Sequence, residues 1–357
     1  MTATKVSRSN LTFWFSFSLM VAVICGILAL QQAFSTEYVV QDDARQHVFW
    51  MRRFLDPALF PNDRIADYFQ SVAPWGYTNV YRFFATFGID PLLLSKLLPM
   101  ALGLVTAAYG FGVCYELLPV PFAAFLGTLL IEQVVWTHDD IASASPRGFM
   151  PPIFLAFLYY LMHRQLVPCL VTIALEGLFY PQYVFVFSGI ILLQPLRWEQ
   201  GRFKLSTEEK DYWFCSAALA VAFLVMLPYA LTANDYGPTI TATEARGLAE
   251  FSEDGRSKFF IQDTWAFWLY AERSGVFPAF RPVTIAIGGF LPLLLRFPDR
   301  FPLIRQITDH SRILLQIVAT ALGLFLVAHL LLFKLHLPSR YTAYTLRFTL
   351  RSPLPSP

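Results

Sequence analysis

From Leu11 to Leu30 the chain carries no charged side chain. About 20 residues of helix reach about 30 Å, the thickness of a bilayer's hydrocarbon core. In hydrocarbon an unpaired backbone amide costs several kcal/mol, so such a run is driven into a helix. Lys5 and Arg8 precede it. The run is longer than the apolar core of a typical signal peptide and has no small-x-small pattern before Gln31 and Gln32. It therefore reads as an uncleaved first span with its N-terminus cytoplasmic.

The rest of the chain repeats this theme. Of 357 residues 56% are hydrophobic and 15% charged, which excludes an ordinary soluble domain. A formal charge of +2, with the basic residues in short loops, gives no surface for a nucleic acid. Cys25, Cys114, Cys169 and Cys215 lie in apolar segments without CxxC or Cys/His spacing, so they read as small apolar residues rather than disulfide or zinc partners.

The expected fold class is all-α: a polytopic helical membrane protein, a single integral membrane domain of about nine membrane helices, in the cell membrane. Spans are read at about 11–30, 91–118, 121–136, 150–162, 166–179, 182–196, 212–231, 278–295 and 313–333. The pair around Tyr180-Pro181-Gln182 is a short hairpin, because that choice keeps Arg197, Arg202, Lys204 and Lys210 on the cytoplasmic side with Arg296, Arg300, Arg305 and Arg312. The loops 32–90, 137–149, 232–277 and 334–345 then share the outer face. In the first, residues 42–55 have the spacing of an interfacial amphipathic helix, and Tyr77 to Phe87 form a second.

Those outer loops hold the polar chemistry. They carry Asp42, Asp43, Asp139 and Asp140, with His47, His138 and His336, and the cations Arg147, Lys334 and Arg340. Arginine can clamp a phosphate bidentately, and a carboxylate can accept the proton of a hydroxyl or hold a divalent metal. Simpler roles compete: Asp42 and Asp43 as helix caps, Asp139 and Asp140 as the end of a turn, the histidines as interface residues, Lys334 as a snorkelling anchor, and Trp265, Trp268 and Tyr270 as an interfacial belt.

An acidic pair opening a long outer loop, Asp139-Asp-Ile-Ala-Ser-Ala-Ser-Pro-Arg-Gly-Phe149 leading into a span, Tyr180-Pro-Gln at a hairpin tip and a late Leu337-Pro-Ser-Arg-Tyr341 together resemble the GT-C superfamily of polyprenyl-phosphate-sugar glycosyltransferases. Within it the chain is most similar to integral membrane proteins of cyanobacterial type. The resemblance implies Asp42 or Asp43 as catalytic base, and Arg147 and Arg340 at the donor phosphate. His47, Asp139, Asp140, Gln182 and Tyr341 are further substrate-binding candidates. It implies a lipid-linked sugar as co-substrate and a glycan, lipid or protein acceptor, and leaves a divalent metal open, since the family includes both cases. The segment from Thr239 to Phe260, with Gly247 and Gly255, is a candidate cover over the acceptor.

The chain departs from that family at its Pro/Ser-rich end, Leu350 to Pro357, which resembles a truncation. An inactive relative is accordingly one alternative. Another is a transporter using Glu132 and Glu176, ionisable residues inside apolar segments.

Overall fold

A computed structural model describes residues 7–137, 141–199, 202–231, 236, 240–277, 297 and 299–349. It is predominantly helical and membrane-embedded in character. Among the described residues four helices are long and apolar enough to cross a bilayer: Arg8–Ala33, Pro91–Leu117, Glu209–Leu231 and Asp309–Leu330, the last including a leading 3₁₀ turn. The expected span at 278–295 lies outside the described residues. Although the sequence reads as one domain, the contacts divide it into two compact units, residues 1–181 with 306–308 and residues 182–305 with 309–357.

The first unit is built on α5 (Pro91–Leu117), which packs against α1 (Arg8–Ala33), α6 (Pro121–Thr137) and α7 (Met150–Met162); α7 in turn carries α8 (Leu166–Phe179). Small residues let the neighbours in: Trp136 lies over Gly103, and Ile131 and Leu155 over Gly110. Asp90 starts α5 by accepting the amide of Leu92 at 2.7 Å, with Pro91 supplying the first helical φ.

The loop ahead of α5 is an ordered layer. The expected helix over 42–55 is instead a single turn, α2 (Ala44–His47), followed by a 3₁₀ helix, Phe49–Phe54. A helix not anticipated follows, α3 (Arg64–Val72), capped by Asp63 through the amides of Ile65 and Ala66. Then comes α4 (Trp75–Ala85). Arg53 ties the layer together: it donates to Asp67 at 2.7 Å, Gln70 at 2.8 Å and the carbonyls of Leu59 and Phe60. Five donors in one planar fork explain why a single arginine can hold so many loop acceptors.

The second unit contains α9 (Val184–Leu192), α10 (Glu209–Leu231), α11 (Ala242–Arg246), α12 (Arg312–Leu330) and α13 (Pro338–Thr349). α12 packs against α9 and α13, and α9 against α10. The expected span to residue 196 is shorter, because α9 stops at Leu192 and the chain turns into an antiparallel hairpin, β1 (Leu196–Glu199) with β2 (Arg202–Leu205), pairing Leu196 with Leu205 and Arg197 with Lys204. Arg197 is drawn off its like-charged partner by Asp211 at 3.0 Å.

Candidate functional site

The acidic pair sits on a turn that winds like the start of a helix. The amide of Arg45 donates to the carbonyls of Gln41 and Asp42, that of His47 to Asp43 at 2.9 Å, and the Arg45 side chain reaches back to the carbonyl of Val40 at 3.0 Å. Neighbours on such a turn point about 100° apart. Asp42 therefore faces out and is exposed, while Asp43 faces in. Asp43 occupies the N-cap position of α2, yet its carboxylate makes no capping hydrogen bond. It accepts instead from Arg147 Nη2 at 2.9 Å and from Ser145 Oγ at 3.3 Å.

This joins the two loops whose charges the sequence singles out, across 104 residues. Arg147 belongs to a 3₁₀ helix, Pro146–Phe149, that runs directly into α7. Phe149 pins it, 4.6 Å from the Phe179 ring at the end of α8. Just upstream, Ala144 is fully buried at φ 44°, a left-handed conformation that a side chain bearing Cβ adopts at a cost of order 1 kcal/mol or more. The Tyr81 hydroxyl holds it by donating to the Ala144 carbonyl at 2.9 Å. Tyr81 and Tyr77 are buried neighbours on α4, their rings 5.1 Å apart.

The surroundings are partly to fully buried. Burial pushes the His47 imidazole below its ordinary pKa, with Asp43 opposing and Arg147 reinforcing the shift, so His47 is neutral at pH 7. Burial likewise raises the Tyr77 and Tyr81 hydroxyls, Asp43 adding to the effect at Tyr77. The Tyr77 hydroxyl lies near that of Tyr81 but in no geometry that makes a hydrogen bond. It joins Gln41 Oε1, Trp50 Nε1 and Thr78 Oγ1 as buried polar atoms of this layer with no hydrogen-bond partner. Such atoms are uncommon in a finished core and mark places that a polar guest can satisfy.

The other sequence candidates stand elsewhere. Asp139 and Asp140, with His138, lie outside the described residues. Gln182, Arg340 and Tyr341 belong to the second unit. There Arg340 donates to the Tyr344 hydroxyl at 2.8 Å. Tyr341 is buried, which lifts its hydroxyl to about 12. Burial, helped by Arg340, drops His336 to about 4. The Gln182 side-chain oxygen Oε1 is buried without a hydrogen bond. Among the described residues no group of three His, Cys, Asp or Glu could hold a metal ion.

Ser145, Tyr77, Tyr81 and Trp50 are site residues that the sequence did not single out. In the apolar helices, Glu132 accepts from Trp136 Nε1 at 2.7 Å, and Glu176 is fully buried with neither carboxylate oxygen hydrogen-bonded. Compared with protein-family models, with characterised proteins and with solved structures, the chain matches none.

Proposed function

We propose that the chain is a membrane glycosyltransferase that moves a sugar from a polyprenyl-phosphate donor to an acceptor hydroxyl at the outer face of the cell membrane, with nine spans and a cytoplasmic N-terminus. The observation that carries the reading is the contact between Arg147 and Asp43. It brings a guanidinium able to bind phosphate and a proton acceptor together, both partly buried, in the layer ahead of α5. A donor phosphate would compete with Asp43 for the Arg147 guanidinium, since both offer paired anionic oxygens to the same fork.

Donor binding would therefore free the base. The acceptor oxygen attacks the anomeric carbon, its proton passes to Asp43, and the carbon–oxygen bond to phosphate breaks with its electron pair leaving on the polyprenyl phosphate. Neutral His47 can hydrogen-bond the acceptor without adding charge. Arg340, Gln182 and Tyr341 enter this reading through the family resemblance alone.

The test is transfer of radiolabelled sugar from polyprenyl-phosphate donors by membranes containing the chain. General-base catalysis is worth roughly 100- to 10,000-fold, so Asp43→Asn should lose at least about 100-fold while exposed Asp42→Asn stays within about threefold. Equal loss in both, or no transfer from any donor in a panel, would sink the reading.

A proton-coupled transporter is the second reading, favoured by Glu176, a carboxyl buried in an apolar helix with neither oxygen hydrogen-bonded. It requires uptake that Glu176→Gln abolishes and Asp43→Asn leaves intact.

A further inference from the structure

One cavity lies wholly within the second unit. It encloses about 630 Å³ between Arg246 of α11, the Phe259–Phe260 stretch, a π-helical turn at Ala266–Tyr270 and the end of α12, and a chamber of about 280 Å³ shares the Arg246, Phe267 and Trp268 walls. That volume suits a small amphiphile. Its walls are ring faces and leucines. On its wall His329 is clasped by Trp268 and Phe325, each with ring centroids at 4.6 Å, and held to the Ser274 carbonyl at 2.9 Å.

Two features define the occupant. Arg246 and Lys334 both line this apolar chamber and are exposed, and among the described residues neither pairs with a carboxylate. Arg246 lies over the Phe260 ring at 5.3 Å, which sets its guanidinium against the cavity wall. Two unneutralised cations over an apolar chamber complement an anion with an apolar tail. The second feature is position. The cavity lies at the end of a 22-residue apolar segment, Asp309–Leu330, and Leu330 is 83% exposed, so apolar surface continues from the membrane helix to the cavity. Trp265 and Tyr270 are exposed beside it, as aromatics at a membrane interface are.

We infer that the cavity is a binding site for an anionic membrane lipid with a terminal phosphate, its headgroup held by Arg246 and Lys334 and its chain lying against Phe267, Trp268 and Leu330. The inference goes beyond the transferase reading and does not depend on it. It also gives the segment through Arg246 and Phe260 a role other than covering an acceptor.

The full chain in mild detergent, titrated with phosphatidic acid or with phosphatidylcholine of the same chains and read by native mass spectrometry, tests it. Phosphatidic acid should bind about tenfold more tightly, and the Arg246→Gln/Lys334→Gln double variant should erase that preference while leaving phosphatidylcholine binding unchanged. Ala242→Trp, which fills the chamber and keeps both charges, should weaken both lipids. A second measurement needs no charge variant: phosphatidic acid with brominated chains should quench wild-type fluorescence more than that of Trp268→Phe. Equal affinity for the two lipids, a preference that survives the double variant, or quenching unchanged by Trp268→Phe would overturn the site. Displacement of phosphatidic acid by excess inorganic phosphate would overturn the lipid and leave only an anion site.

Discussion

A partly buried imidazole reports its environment through the pH at which it charges, and here two do so in the same sense. His336 has its pKa brought down to about 4 by burial and by Arg340, and His47 is lowered by burial. In the unfolded chain a histidine takes up its proton near pH 6.5. Between the two values the unfolded state binds more protons than the folded one, so stability falls as pH drops. The stability is fully present above about pH 6.5 and is lost as pH falls toward about 4; for His336 the loss is on the order of 3 kcal/mol at most. Thermal unfolding at pH 7.5 and pH 5 should thus show a smaller acid-induced drop for His336→Gln than for the wild type. Identical drops would contradict the assignment. Ala144 gives a second prediction at this scale. Its φ of 44° tolerates glycine and strains further with a branched side chain, so Ala144→Val should destabilise by about 2 kcal/mol or more and Ala144→Gly by less than about 1 kcal/mol, read by thermal unfolding. Equal destabilisation would remove the strain from the account.

At the scale of elements, α4 carries Tyr77 and Tyr81 to the site and is set by its approach to α8. A Cβ at Gly76 would meet the Leu178 Cβ at 2.8 Å and the Leu178 carbonyl oxygen at 2.9 Å. A backbone oxygen cannot rotate away, so Gly76→Val should cost about 1–3 kcal/mol and loosen the Tyr81 prop beneath Ala144. An unchanged unfolding temperature would show that the two helices can part freely. The helices were largely readable in the sequence because their apolar runs end at polar or proline punctuation. Pro91 opens α5, Pro121 opens α6, and Tyr180-Pro181 divides α8 from α9. The hairpin was missed because its charge was read as cytoplasmic loop. The alternation Leu-Arg-Trp-Glu and Arg-Phe-Lys-Leu around Gln-Gly was there to be weighed. The site was legible only in its charges. That Asp43 turns inward while Asp42 faces out follows from local winding. Ser145, Tyr81 and the strained Ala144 are fixed by packing between segments far apart in sequence, which no local pattern encodes.

For the molecule as a whole, helix length poses a question that hydropathy does not. The 14 residues of α8 and the 9 of α9 reach only about 21 Å and about 14 Å, short of the hydrocarbon thickness near 30 Å. Neither can cross alone in contact with lipid throughout. The nine-span topology makes them a sheltered hairpin, with its tip at Pro181 outside and the β1–β2 hairpin in the cytoplasm. The charge on that hairpin, with Arg202 and Lys204 both exposed, fits the positive-inside tendency. One continuous crossing would instead reverse every later loop. A cysteine-free protein carrying one new cysteine at a time separates the two. At Asp42, a membrane-impermeant maleimide should label intact cells in either case. At Arg202 and at Lys258, the nine-span topology expects labelling only after lysis for the first and in intact cells for the second. A single crossing expects the opposite pair, since it moves Arg202 outside and Lys258 inside. Because the two sites must switch together, a result in which both are labelled in intact cells would exclude both arrangements. It would put an even number of crossings between the two sites, so that α10 either does not span or is joined by a second crossing before Lys258, although its 23 residues are enough to span.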